Sequence, residues 1–93
     1  MEENIKEYLI NSGWILKDKG KIASKKFTFK NFKLAFSWMV EVGMEAERLD
    51  HHPNWFNVYN KVEVDLQTHD VGSLTKKDLT LAEYMDVSFK KFL

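Results

Sequence analysis

Two histidines, His51 and His52, stand side by side in the segment Glu47-Arg48-Leu49-Asp50-His51-His52-Pro53, and the third histidine of the chain, His69, follows an alternating apolar run further on. Imidazole titrates nearer neutrality than any other unperturbed side chain, at about pH 6.5, so such groups suit proton transfer. Glu47 lies one helical turn before His51, where its carboxylate would accept a proton from the ring and fix the tautomer. The bend at Pro53 turns His52 away from that face. Three histidines and a carboxylate could also complete a zinc shell, although adjacent histidines rarely aim at one ion. Spacing alone leaves proton chemistry, metal binding and hydrogen-bonded loop residues all open.

Regular elements must bring these side chains together, and the punctuation of the chain predicts them. Residues 2 to 12 carry Ile5, Leu9 and Ile10 at helical spacing and stop before Gly13. Two strands follow in "WILKD" and "IASKKFTFK", joined at a turn where Gly20 supplies a positive φ. Asn31 caps a long helix with an expected inner stripe of Phe32, Ala35, Phe36, Met39, Val40, Gly43 and Ala46. Leu34, Trp38 and Val42 lie off that stripe and widen its apolar surface, as an associating helix would. Pro53 disfavours helix at His52, which ends the helix at about Asp50 or His51. Then come "WFNVY" and "KVEVDLQT", with Val62, Val64 and Leu66 on one face and a tight turn in which Asn60 tolerates left-handed geometry. Thr75 and Asp78 form a capping pattern for a last helix with Leu79, Ala82, Met85, Phe89 and Phe92 inside. The order α-β-β-α-β-β-α predicts one α+β domain over residues 1–93, a four-stranded antiparallel sheet with helices packed on one face.

Composition narrows the function classes. Hydrophobic residues make up 44% of the 93 positions, enough for one modest core, and a chain this short gains from a partner subunit. Fourteen basic side chains balance fourteen acidic ones without a block of either sign, so nothing in the charge pattern asks for nucleic acid or a membrane surface. The absence of cysteine excludes disulfides and thiolate metal sites. No apolar run approaches the ~20 residues of a membrane helix, and the acidic start "MEENIKEYLI" is unlike a signal peptide, so a cytoplasmic location is expected.

The pattern Glu47-x-x-x-His51-His52-Pro53-x-Trp55-x-x-Val58-Tyr59-Asn60-x-Val62, followed by Thr68-His69 and by Leu74-x-x-x-Asp78, resembles the signature of the pterin-4a-carbinolamine dehydratases. The likeness extends upstream through "FTFKNFKLAFSWM" to Gly13-Trp14, so it runs from residue 13 to about 82. Ser73 departs from it, standing where many relatives carry glycine. The resemblance implies removal of water from a 4a-hydroxytetrahydropterin to give the quinonoid dihydropterin, which recycles the cofactor of an aromatic amino acid hydroxylase. It implies that the pterin is the substrate, with no further cofactor and no metal. By the same resemblance His51 and His69 are the acid and base and His52 holds the substrate. Glu47 orients His51, and Asp78 stands by the site as well as capping a helix. Asp50, Gln67, Thr68, His69 and Asp70 line the pocket. A homodimer or homotetramer is implied too. The alternative function is a non-catalytic dimerisation module or transcriptional coactivator, as some relatives are. Trp14 and Trp55 fit a place beside the pterin, although large aromatics more often belong to the core or a subunit interface.

Overall fold

A computed structural model of the protein describes residues 2–93, with side chains from residue 4 onward. The chain runs through α1 (Glu2–Asn11), β1 (Ile15–Lys17), β2 (Ile22–Thr28), α2 (Phe32–Leu49), β3 (Asn54–Val58), β4 (Lys61–Leu66) and α3 (Lys76–Phe89), then a 3-10 turn, Lys90–Phe92. The four strands form one antiparallel sheet in the order β1-β2-β4-β3, the α+β arrangement expected from the element order. Pairing of Ala23 with Leu66 and of Phe27 with Val62, with Trp55 opposite Val64, puts the apolar side of three strands on one face. The helices cover that face.

Lys25 falls on the covered face by strand alternation and would be a stranded charge there without partners. Its Nζ lies 2.8 Å from Asp86 Oδ1 of α3 and donates to the Ser12 carbonyl at 2.7 Å. Asp86 Oδ2 accepts from Trp14 Nε1 at 3.0 Å and from the Tyr8 hydroxyl at 3.1 Å, and burial pushes the Tyr8 hydroxyl pKa up. One carboxylate thus ties α1, the start of β1, β2 and α3 together. Replacing it by alanine leaves a half-buried ammonium without its counter-charge, so Asp86→Ala should cost about 2–4 kcal/mol. Urea unfolding with an unchanged midpoint would refute this. Trp14 is buried in the core, one of its expected places.

The inner face of α2 differs from the expected one. Ala35, Trp38, Val42 and Ala46 are buried, while Phe32, Phe36 and Val40 are about half exposed, at 45%, 52% and 48%. The helix is rotated because Trp38 carries the largest apolar surface and packs among Phe27, Phe29, Trp55 and Phe89, with ring centroids 4.6 to 6.5 Å away. Two smaller differences concern turns. The left-handed residue between β3 and β4 is Tyr59, φ 51°, because Asn60 instead spends its side-chain amide on the Phe29 carbonyl at 2.8 Å. Gly20 has the positive φ expected of it, 83°, and Asp18 and Lys19 share the left-handed region.

Candidate active site

The end of α2 decides where the adjacent histidines point. Asp50 adopts a left-handed conformation, φ 52° and ψ 44°, its N–H bonding the Glu47 carbonyl and the following His51 N–H reaching back to the Ala46 carbonyl. This is the helix stop usually given to glycine. It reverses the chain two residues before the restriction that Pro53 places on His52, so His51 swings inward and His52 outward. His51 is 8% exposed, and its Nε2 lies 2.7 Å from Asp78 Oδ1. His52 is exposed, and its Nε2 meets Glu47 Oε1 at 2.8 Å.

The expected pairing of Glu47 with His51 is therefore replaced by two different pairs. Helical i,i+4 geometry would have served Glu47 and His51 only if the helix had continued, and it ends at Leu49. Asp78 takes the place of Glu47 behind His51. It is fully buried, and both its oxygens are used. Oδ2 accepts from the Thr68 hydroxyl at 2.7 Å and from the Thr75 backbone N–H at 2.9 Å, closing the capping box of α3. Thr68 gives its only hydroxyl proton to Asp78, so the Thr75 hydroxyl, 2.6 Å away, donates to Thr68. Capping and contact with His51 are functions of one carboxylate. With Asp78 accepting from Nε2, the hydrogen bonds assign the proton to that nitrogen and leave Nδ1 to exchange protons.

His69 comes from the loop after β4. That loop closes on itself through Thr68 N–H to the Ser73 carbonyl at 2.9 Å and Gly72 N–H to the Thr68 carbonyl at 2.8 Å, with Gly72 at φ 71°. The closed loop fixes Thr68 inward and holds His69 and Asp70 exposed at the rim. Together Asp50, His51, His52, Pro53, Asn54, Thr68, His69, Asp70 and Lys77 line a cleft of about 480 Å³, within the size range of small-molecule sites. All three histidines border it.

Of the residues expected at the site, Gln67 does not line the cleft. Strand alternation, running one residue past β4, directs Leu66 and Thr68 inward and Gln67 to the opposite side. Glu47 reaches the site only through His52, and Asp78 only through His51 and Thr68. Sequence reasoning missed Pro53, Asn54 and Lys77 as wall residues. Lys77 was legible in principle, since it precedes Asp78 in the first turn of a helix whose cap had been identified. Among the described residues no group of three or more histidine, aspartate or glutamate side chains is placed to hold a metal ion. No helix among them is long and apolar enough to cross a membrane.

Comparison with known proteins gives this geometry a context. Curated relatives named provisionally as pterin-4-alpha-carbinolamine dehydratases include one from Rhizobium johnstonii, 52% identical over 75 residues, covering 81% of this chain and 74% of the relative. Another, from a Jannaschia species, is 53% identical over 78 residues, covering 84% and 80%. The crystal structure of a transcriptional coactivator/pterin dehydratase from Brucella melitensis superposes with a TM-score of 0.83 at 36% identity, over 89% of this chain and 90% of that one. A pterin dehydratase-like protein identified as a RuBisCO assembly factor in the alpha-carboxysome shares the fold, with a TM-score of 0.72 at 17% identity over 83% and 89%. The family model described as pterin 4 alpha carbinolamine dehydratase matches residues 1–88, and the chain belongs to that family.

Proposed function

We propose that the protein dehydrates 4a-hydroxytetrahydropterins to quinonoid dihydropterins by histidine acid-base catalysis. The observation that carries this reading is the convergence of all three histidines on one cleft, with His51 anchored by a fully buried carboxylate. In the reaction the N5–H bond breaks, its electron pair forms the N5–C4a double bond, and the C4a–O bond breaks as the hydroxyl takes up a proton and leaves as water. One group must remove a proton and another supply one. His51, with Nε2–H committed to Asp78, has Nδ1 free of protein partners among the described residues. His69 has no hydrogen-bond partner there and faces the same cleft. The pair can divide the two transfers, each worth typically 100- to 10,000-fold. The carboxylates of Asp50 and Asp70 suit the amino and N–H donors of the pterin ring. In this reading the pterin is substrate, and neither a metal nor another cofactor takes part. Service to an aromatic amino acid hydroxylase in the cytoplasm accords with it. The test supplies a 4a-hydroxypterin and follows product formation; a rate equal to the spontaneous one would end the enzymatic reading.

His52, held by exposed Glu47 at the outer rim, is placed to grip substrate rather than to exchange its protons. His52→Ala should raise KM several-fold more than it lowers kcat. A loss confined to kcat would contradict that role.

Self-association is part of the proposal. Phe32, Phe36, Val40 and Met44 form an exposed stripe at four-residue spacing along α2, Phe32 and Phe36 stacked with centroids 5.4 Å apart. Such a continuous apolar row marks an interface. Light scattering should give a dimer or larger, and Phe36→Glu with Val40→Lys should shift it toward the 11.0 kDa chain. A monomeric starting protein would remove this part. The same stripe supports a second reading, an interaction module of the kind that the Brucella protein, described as a transcriptional coactivator, represents. Partner capture that survives loss of His51 and His69 would favour it.

A further inference from the structure

Beside the cleft lies a second depression of about 220 Å³, lined by Leu49, Lys76, Lys77 and Thr80. Lys77 borders both hollows, so they adjoin along its side chain. Their chemistry differs. The cleft presents histidines and the carboxylates of Asp50 and Asp70, whereas the depression is lined by two exposed lysines with Leu49 and Thr80 and by no acidic side chain. Neither Lys76 nor Lys77 has an ion-pair partner among the described residues. Two adjacent cations without a counter-charge, with Leu49 in the same lining, fit a ligand with a short carbon linker ending in an oxyanion.

We infer that this depression receives the C6 substituent of the pterin, and that the preferred substrates carry a phosphate or carboxylate on that tail. The inference rests on the pterin reading of the cleft and extends it to substrate class. An anionic tail inside the cleft would face Asp50 and Asp70 and be repelled. Passing over Lys77 places it among the lysines. The ring can then keep its donors toward the carboxylates while the tail lies in the neighbouring hollow.

Three dihydropterins test this, with a neutral dihydroxypropyl, a phosphorylated and a carboxylated tail, each titrated for equilibrium binding and each supplied as its 4a-hydroxy form for turnover. An anionic tail should lower Kd on the order of five- to tenfold at low ionic strength, and less as salt rises. In K76Q/K77Q the ratio of neutral-tail to anionic-tail Kd should fall to about one, while K77R keeps it. The ratio is read within each variant, so a loss common to all ligands cancels. Preference for phosphate over carboxylate, or the reverse, identifies which oxyanion is the natural one. Equal affinity for neutral and anionic tails, or a ratio unchanged in K76Q/K77Q, overturns the inference. Tail preference in binding without turnover sinks the dehydratase reading alone; turnover without tail preference sinks the tail subsite alone; failure to bind any of the three pterins sinks both.

Discussion

With His51 and His69 both changed to alanine, turnover of a 4a-hydroxypterin should fall to the spontaneous rate, a loss of ~10,000-fold or more in kcat if each imidazole contributes within its usual range. Either single change should leave measurable activity, because the remaining histidine still performs one transfer and water performs the other. No substitute stands in the cleft. Its remaining titratable groups are Asp50, Asp70, Lys77 and the rim residue His52, which is engaged with Glu47. Aspartate and lysine side chains ordinarily titrate far from neutrality, near pH 4 and above 10. A double variant that keeps most of the wild-type turnover would show that the chemistry lies elsewhere.

Asp78→Asn should damage both stability and catalysis, for one reason. The native carboxylate accepts on both oxygens: from His51 Nε2 on one, from the Thr68 hydroxyl and the Thr75 N–H on the other. An asparagine amide has only one accepting oxygen. Turned toward Thr68 and Thr75, it presents its NH2 to His51 and forces the proton onto Nδ1, the nitrogen that should work in the cleft. Turned the other way, it sets its NH2 against the Thr75 N–H, which cannot accept, and forces the Thr68 hydroxyl to rotate, in a fully buried place. The second arrangement costs more, so the first should prevail, with kcat reduced by ~100-fold or more and stability by about 1–3 kcal/mol. For a domain of this size that corresponds to a fall in Tm of roughly 4 °C or more. Near-native turnover in a folded D78N protein would separate Asp78 from catalysis.

The fold was largely legible because its signals are local. Asn31 and Thr75 cap helices where a polar side chain precedes an apolar period, Gly20 turns a hairpin, and Val62, Val64 and Leu66 alternate as a half-buried strand must. What escaped depends on contacts between distant residues. The rotation of α2 follows from Trp38 meeting rings on β2, β3 and α3, and the period of the helix itself fits Phe32, Phe36 and Val40 inward almost as well. The site was half legible in the same sense. His51, His52 and His69 are found from residue type and from their position at element ends. The partner of His51 is not, because Glu47 is its neighbour in sequence while Asp78 becomes its neighbour only when α3 packs beside the end of α2. The left-handed conformation of Asp50 decides between them, and nothing in an aspartate announces that conformation.

Because Asp78 is demanded by the cap of α3 independently of any reaction, loss of catalysis would not release it. A descendant of this protein turned into a pure scaffold could discard His69 freely, whereas loss of His51 would strand the buried Oδ1 of Asp78, whose other oxygen is still needed to begin α3. On the dehydratase reading, position 78 therefore answers first to the fold, and His69 is the residue free to vanish with the chemistry.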